Sequence, residues 1–340
     1  MTLEKLKYLQ SEGLITLRPN TDESLFIANY TPKVQYEKLW TPEVMQCRGL
    51  IIDKNDNIIA RPFPKFFNIE EHTPEEIPNE PFEVYEKLDG SLGILYFYQD
   101  KPFIATRGSF ESEQAIKANE ILQSKYSDFP FDTRFTYLFE IIYPQNRIVV
   151  DYGETEDLIL LSVIHTSSGN EFLPDNSGFP NKVRRYDGIN DLSKLRDNEE
   201  FNKEGFVIRF QSGFRVKMKY AEYVRLHKII TQVSNKSIWE YLKTGQPFDE
   251  ILKKVPDEFY NWVKQTKQKL EEDFIIIKYC AINMYEEHYK GSESRKDFAL
   301  WAIKQKYPNL LFKLLDEKSI DEDIWKILKP QFEKPFKVDL

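Results

Sequence analysis

Cysteine is nearly absent from this chain: 340 residues contain two, Cys47 and Cys280, far apart and in no C-x-x-C pair. With only four scattered histidines (His72, His165, His227 and His288), no structural zinc site and no disulfide framework is expected, and the scarcity fits a reducing compartment. Long hydrophobic runs are missing too. The longest, at 275–277 and 158–163, fall far short of the roughly 20 apolar residues that span a bilayer. The charged start, residues 1–13, lacks the apolar stretch of a secretory signal. A cytoplasmic protein with no membrane partner is the expectation. GxSxG, HExxH and P-loop signatures are all absent, which removes the usual serine-hydrolase, zinc-protease and P-loop chemistries. Nor is there a surplus of positive charge. The net charge is −8, and because residues 241–340 balance acid against base, the whole deficit lies in the first 240. Any surface for a polyanion must be a local patch, with a divalent cation offsetting its acidic part.

What the chain does have is a change of pattern along its length. Runs rich in β-branched and aromatic residues predict strands over 82–87, 92–98, 103–106, 136–143, 147–152, 158–165, 205–210 and 215–219. Gln99-Asp100-Lys101-Pro102 reads as a turn, and one helix is expected over 112–124. Strands without βαβ alternation indicate an α+β domain of antiparallel sheets. From about residue 238 the apolar spacing becomes helical, over 238–242, 256–289, 295–307 and 321–328. Ser294 and Ser319, each followed three residues on by an acid, look like helix starts. Trp262, Phe274 and Tyr285 in the long helical segment read as core rather than as a binding stripe. The expected organisation is a catalytic domain over 1–240 and an all-helical domain over 241–340.

The chemical signal centres on Glu86-Lys87-Leu88-Asp89-Gly90-Ser91, a strand ending in a lysine and then a Gly-Ser turn. Such a turn presents an amine into a cleft, and the glycine lets a phosphate or ribose come close to the backbone. Alone, the segment reads equally well as a surface hairpin, because Asp-Gly is a common turn pair. Three more elements follow in order. They are Tyr137-Leu138-Phe139-Glu140, then Glu204-Gly205-Phe206-Val207, then Val216-Lys217-Met218-Lys219-Tyr220, whose two lysines share a strand face.

This ordered set resembles the covalent nucleotidyltransferase superfamily of ATP-dependent DNA and RNA ligases and capping guanylyltransferases. Within it, the closer likeness is to RNA ligases of the T-even phage tRNA-repair type. Cys47-Arg48-Gly49-Leu50-Ile51-Ile52 and Arg61-Pro62-Phe63-Pro64-Lys65-Phe66-Phe67-Asn68 look like that family's upstream segments, and Tyr223-Val224-Arg225-Leu226-His227 like the extension of its last motif. The resemblance covers roughly residues 40–230. One departure is Thr106-Arg107-Gly108-Ser109, where the family commonly has lysine in place of Arg107; arginine keeps the charge without being equivalent.

The resemblance implies an antiparallel-sheet adenylation domain followed by helices. It implies that Lys87 becomes adenylylated by ATP, and that AMP then passes to an RNA 5′-phosphate which a 3′-hydroxyl attacks. Lys217, Lys219, Glu140 and Glu204 would serve catalysis. Glu86, Asp89, Gly90, Arg48, Lys65, Phe67, Arg107, Phe139, Gly205 and Tyr223 would hold the nucleotide, with a plain packing role as the equal alternative for Phe67. Glu140 and Glu204 are oxygen donors suited to Mg2+ or Mn2+, or alternatively to ribose hydroxyls. Tyr137 or Phe139 would stack on adenine, with Phe206 as the alternative. Because a free lysine with pKa ~10.4 is protonated at neutral pH, Lys217, Lys219 and the metal ion are expected to lower the pKa of Lys87. RNA ends, including tRNA, are the implied partners. With no P-loop, a separate kinase/phosphatase would supply the 5′-phosphate. A DNA ligase or guanylyltransferase would more usually follow with a β-barrel than with helices, and a passive RNA-end binder would have little need of a reactive amine. Lys253, Lys254, Lys264, Lys267 and Lys278 are candidate RNA contacts of the helical domain, with ordinary solvated surface as the other reading.

Overall fold

The computed structural model describes residues 1–196, 200–248, 255, 257–288 and 294–332, and divides into two compact units, Met1–Val224 and Arg225–Leu340. In the first unit, strand-forming runs assemble three sheets. β1 (Ile15–Pro19), β2 (Leu25–Tyr30), β3 (Arg48–Asp53) and β4 (Ile58–Ala60) form an antiparallel meander. Then come β5 (Phe67–Asn68), β6 (Phe82–Lys87), β7 (Ser91–Tyr98), β8 (Lys101–Ala105), β9 (Phe135–Ile142), β10 (Asp157–His165), β11 (Glu171–Phe172), β12 (Arg185–Tyr186), β13 (Gly205–Phe210) and β14 (Arg215–Lys219). They make two five-stranded sheets, in the orders β11-β10-β9-β7-β8 and β12-β6-β13-β14-β5. Pairing is antiparallel except for short β5, which lies parallel to β14. The expected α+β class with antiparallel sheets is the one observed.

Burial explains why the sheets stack. One face of the β7–β11 sheet puts Leu95, Phe139, Ile141 and Leu160 against Ile121 and Leu122 of the helix Glu113–Tyr126 and against Phe179. Its other face puts Ile94, Leu138 and Ile164 against Ile27 and Ile51 of the first sheet. Because strand side chains alternate, Glu140 shares the face of Leu138 and points away from the helix. The chain between β6 and β7 is only three residues long, and it leads from Lys87, the last residue of β6, straight into β7, which lies between β9 and β8 in the other five-stranded sheet.

Several elements differ from their sequence pattern. Residues 147–152 form no strand; they follow a 3-10 turn, Pro144–Asn146, and the N–H groups of Val149 and Val150 donate to the Asp89 carboxylate instead of a neighbouring strand. The hairpin after β7 turns on Gln99 and Asp100 alone, both left-handed (φ 50° and 60°). Lys101 and Pro102 therefore belong to β8, an edge strand that tolerates proline. The amino-terminal helix Leu3–Ser11, capped by Thr2, was not signalled by the motif pattern.

The second unit is helical, with Asn235–Thr244, Asp257–His288, Arg295–Ala302, Pro308–Leu315 and Asp321–Ile327. The helix expected to run to residue 307 stops at Ala302. Pro308 opens the next one, and the residue before a proline is driven out of helical geometry, as Tyr307 is (φ −129°, ψ 61°). Ser294 caps its helix as expected. Ser319 does not: Ile320 takes the cap position, and the serine hydroxyl accepts from Asp321 N at 3.4 Å. Phe274 stacks on Trp325 at 4.7 Å, Trp262 lies 6.1 Å from Phe259, and Tyr285 packs beside Phe298 and Leu311. All three act as core. Lys278 pairs with Asp321 (2.8 Å) and Lys267 with Glu271 (3.8 Å), Lys264 is exposed, and Lys253 and Lys254 lie outside the described residues. Among the described residues no helix is long and apolar enough to cross a membrane.

Gly205 shows how tightly the β13–β14 pair is drawn. Its φ is +142°, and a Cβ there would sit 2.1 Å from the Met218 carbonyl oxygen. Gly205→Ala is therefore expected to cost about 3 kcal/mol, strain and overpacking together, measurable as a lowered urea midpoint at unchanged slope.

Candidate active site

Register places the central groups. Gly205 lies opposite Lys87 of β6 on one side and opposite Lys219 of β14 on the other. Glu204, one residue earlier, stands between the two lysines. Its side chain is 3% exposed, and each oxygen takes one amine: Lys87 Nζ at 2.7 Å from Oε2 and Lys219 Nζ at 2.7 Å from Oε1. Burial alone would raise the pKa of Glu204, but the two lysines outweigh it and hold it below the usual range. Burial works to lower Lys87, yet Glu204, Glu140 and Asp89 raise it above an ordinary lysine. For the protein's own groups this reverses the expected lowering of Lys87 by Lys217 and Lys219: the nearest charges are carboxylates, so without a metal ion the amine is held protonated. Glu140 faces the same space from β9. Its Oε1 accepts from Gly90 N (2.9 Å), and burial pushes its pKa up to about 7, with Lys87 pulling the other way.

Along β14, Arg215, Lys217 and Lys219 share one strand face, and their neutralisation differs. Arg215 is held by Glu171 at 2.5 Å and Lys219 by Glu204. Lys217, between them, has no carboxylate at ion-pair distance among the described residues. Burial, then Lys65, Lys87, Lys219 and Arg48, lower its pKa to about 7. Further cations surround this point. Lys65 Nζ lies 5.6, 5.2 and 5.2 Å from the ring centres of Tyr30, Trp40 and Phe67. Arg107 donates to Tyr30 Oη at 3.3 Å, and Arg48 Nη1 is buried with no hydrogen-bond partner among the described residues. Half-buried cations with no ion-pair partner among the described residues, one of them with a buried, orphaned donor atom, form a cradle suited to a polyphosphate.

Other predicted residues lie elsewhere. Phe139 is fully buried in the aromatic cluster around Phe131 and Phe179, on the sheet face opposite Glu140; Tyr137 packs there too, and its hydroxyl accepts from Asp132 N. Neither is placed to stack on a base, because alternation sends 137 and 139 to the helix side. Glu86 and Phe206 likewise occupy the face of the β6–β13 pair opposite Lys87. Glu86 pairs with Lys203 (3.6 Å), and Phe206 packs on Tyr186 and Tyr220. Asp89 is buried, and its carboxylate serves the protein. Oδ2 accepts from Val149 N (2.8 Å) and Val150 N (2.9 Å), and Oδ1 from the Tyr223 hydroxyl (2.6 Å). Tyr223 is buried under Lys219, whose Nζ lies 4.8 Å from its ring centre. A Cβ on Gly90 would meet Ile141 O at 2.5 Å, so the group needing close approach there is strand β9 rather than a ligand. Tyr30 and Trp40 were not foreseen; they precede the recognisable motifs, and nothing in their local spacing marks them.

Among the described residues, no group of three or more His, Cys, Asp or Glu stands ready to hold a metal ion. Glu140 and Glu204 as a pair suit an ion that keeps several waters and draws its remaining ligands from substrate phosphates.

Residues 46–223, just over half of the chain, match the RNA ligase family. An RNA ligase of Rhodothermus phage RM378 is 24% identical along 96% of this chain and 92% of its own length. A candidate bifunctional polynucleotide kinase/RNA ligase of Autographa californica nuclear polyhedrosis virus is 26% identical along 74% of this chain, which covers 40% of the viral protein. Among solved structures, an archaeal ATP-dependent RNA ligase is 15% identical, covers 80% of this chain and 79% of its own, and has a TM-score of 0.48. The protein is an enzyme of the ligase class, and the chain belongs to the RNA ligase family.

The low pKa of Lys217 makes anion binding a proton-linked event. An anion seated on the amine raises its pKa above about 7, so binding pyrophosphate at about pH 8 should take up as much as one proton. Calorimetry in two buffers of different ionisation enthalpy should show that uptake in the native protein and its loss in Lys217→Met.

Proposed function

We propose that this protein is an ATP-dependent RNA ligase that joins 5′-phosphate and 3′-hydroxyl RNA ends through a lysyl-adenylate at Lys87 and an RNA-adenylate. The observation that carries the reading is the Lys87 amine, presented at a strand end beside a cradle of incompletely neutralised cations. The triphosphate of ATP matches that cradle, with Lys217, Lys65, Arg48 and Arg107 drawing on the β- and γ-phosphates. Lys87 Nζ then lies where the α-phosphorus is presented. A nitrogen–phosphorus bond forms, the bond to the β-phosphate oxygen breaks, pyrophosphate leaves, and the amine gives up a proton. An oxygen of an RNA 5′-phosphate next displaces Lys87 from the adenylate. A 3′-hydroxyl oxygen then attacks that 5′-phosphate, releasing AMP and sealing the strand. Lys219 and Lys217 stabilise charge on the transferring phosphoryl group.

Glu140 and Glu204 would hold Mg2+ or Mn2+, directly or through water, and the ion's charge would loosen the grip of Glu204 on Lys87 and polarise the α-phosphate. Glu140, with its pKa near 7, alternatively accepts from a ribose hydroxyl. Residues 1–240 act as the adenylyltransferase domain, and the helical residues 241–340 supply RNA specificity. Because Lys267 and Lys278 are paired with acids, that specificity rests on shape rather than on a basic funnel. Repair of broken tRNA or similar loops is the role that the family resemblance supports. The absent P-loop calls for a separate end-healing kinase, a function that the viral relative's name combines with ligation in one chain. A reducing, cytoplasmic setting agrees with the two unpaired cysteines.

Intact mass after mixing with ATP and Mg2+, without RNA, tests the first step. The native protein should gain one AMP and Lys87→Ala none. Lys87→Ala should still seal RNA that already carries a 5′-adenylate, because the nucleophile is used only once. A native protein that never gains AMP, after any bound nucleotide has been stripped, refutes the reading.

A further inference from the structure

The charged groups of the site sit on two different sheets, and register alone cannot align them. Lys87 and Glu204 belong to the β6–β13 sheet, where direct pairing fixes their spacing. Glu140 belongs to the β7–β9 sheet. One irregular segment, residues 146–152, binds the pieces together. Asn146 Nδ2 donates to Ile141 O and to Ser91 Oγ, both at 3.1 Å, and so holds β9 next to Glu140 and the first residue of β7. Val149 and Val150 donate to Asp89, and Asp89 N donates to the Tyr152 hydroxyl at 2.8 Å, which fixes the crossover after Lys87. Asp151 N donates to Asn202 Oδ1 (2.7 Å), and Asn202 Nδ2 donates back to Asp151 O (2.8 Å), two residues before Glu204. The Arg147–Asp151 ion pair (3.0 Å) closes the segment on itself. A single loop is thus hydrogen-bonded beside each of the three reactive groups.

Resting on the lysyl-adenylate reading above, we propose that segment 146–152 is a clamp that sets the distance between Lys87 and the two glutamates, with Asn146, Tyr152 and Asn202 as positioning residues. None of the three has to touch the nucleotide. They act through the backbones that carry the acids and the amine, and a displacement of about 1 Å is enough to slow a reaction that depends on alignment.

Asn202 allows a clean test. It is left-handed (φ 58°), a conformation glycine adopts without strain, so Asn202→Gly keeps the backbone and removes only the reciprocal amide pair. Lysyl-adenylate formation would be followed by intact mass in single-turnover experiments over a range of ATP concentrations, for the native protein, Asn202→Gly and Asn146→Ala. The clamp predicts full amplitude, unchanged half-saturating ATP and a maximal rate lower by on the order of tenfold to a hundredfold. An unchanged rate, or a loss of amplitude matching the unfolded fraction seen by circular dichroism, overturns it. A native protein that forms no adduct at all would refute the parent reading instead. Amide exchange at Val149 and Val150 would then decide: faster exchange in Asn202→Gly than in the native protein upholds the clamp, and equal exchange overturns it.

Discussion

The site turns on one buried carboxylate shared by two amines. Glu204 has almost no contact with water, and an isolated charge in such a place would be strongly penalised. It stays ionised because Lys87 and Lys219 each supply a proton donor at 2.7 Å. Both ends of the bridge record it: Glu204 holds its proton less tightly than usual and Lys87 more tightly. A depressed acid contributes stability above its unfolded pKa, and a raised lysine contributes below its own. The bridge is therefore intact across the neutral range, and weakens as acid protonates Glu204 or as strong base deprotonates Lys87. Removing one partner of such a buried pair is costly, on the order of 3–5 kcal/mol. The lysines keep about a fifth to a quarter of their side-chain surface, which tempers that figure.

On the proposed reading, the same arrangement leaves Lys87 at rest. An amine bound to a carboxylate is a poor nucleophile, so the proposed attack by Lys87 begins with a change in what Glu204 is holding. In the proposed function, a polyanion enters beside the neighbouring strand. Of three cations on one face of β14, the outer two are matched by Glu171 and Glu204, and the middle one has no such match among the described residues. Lys217 and the ring-flanked Lys65 lie close to a satisfied ion pair, and the proposed function draws phosphate and reacting amine to adjacent but distinct places. That division fits a family whose members act on RNA ends.

Much of this was legible in the sequence, and the parts that were not share a cause. Strands β6, β13 and β14 follow from their alternation, and register then brings Lys87, Glu204 and Lys219 together as the order of motifs implied. Phe139 was misplaced because alternation says that 137 and 139 share a face but not which face is covered; helix Glu113–Tyr126 and Phe179 decide that. The run Ile148-Val149-Val150 has strand-like composition, yet its amides find Asp89, about sixty residues earlier, a partner no local pattern reveals. Tyr30, at the end of β2, and Trp40, in the connection that follows, reach Lys65 over a distance in sequence that spacing cannot show. The sign of the Lys87 shift went the same way. Counting lysines nearby in the motif order suggested repulsion, whereas three-dimensional distance gave precedence to one glutamate.

Titration of the lysine side chains by nitrogen-detected NMR, in native protein and in Glu204→Gln, tests that claim most directly. The shared-carboxylate account predicts that Lys87 Nζ titrates above a free lysine in the native protein and falls markedly in Glu204→Gln, where burial is no longer opposed by that charge. A Lys87 that titrates below a free lysine in the native protein, or at the same pH in both, would contradict it.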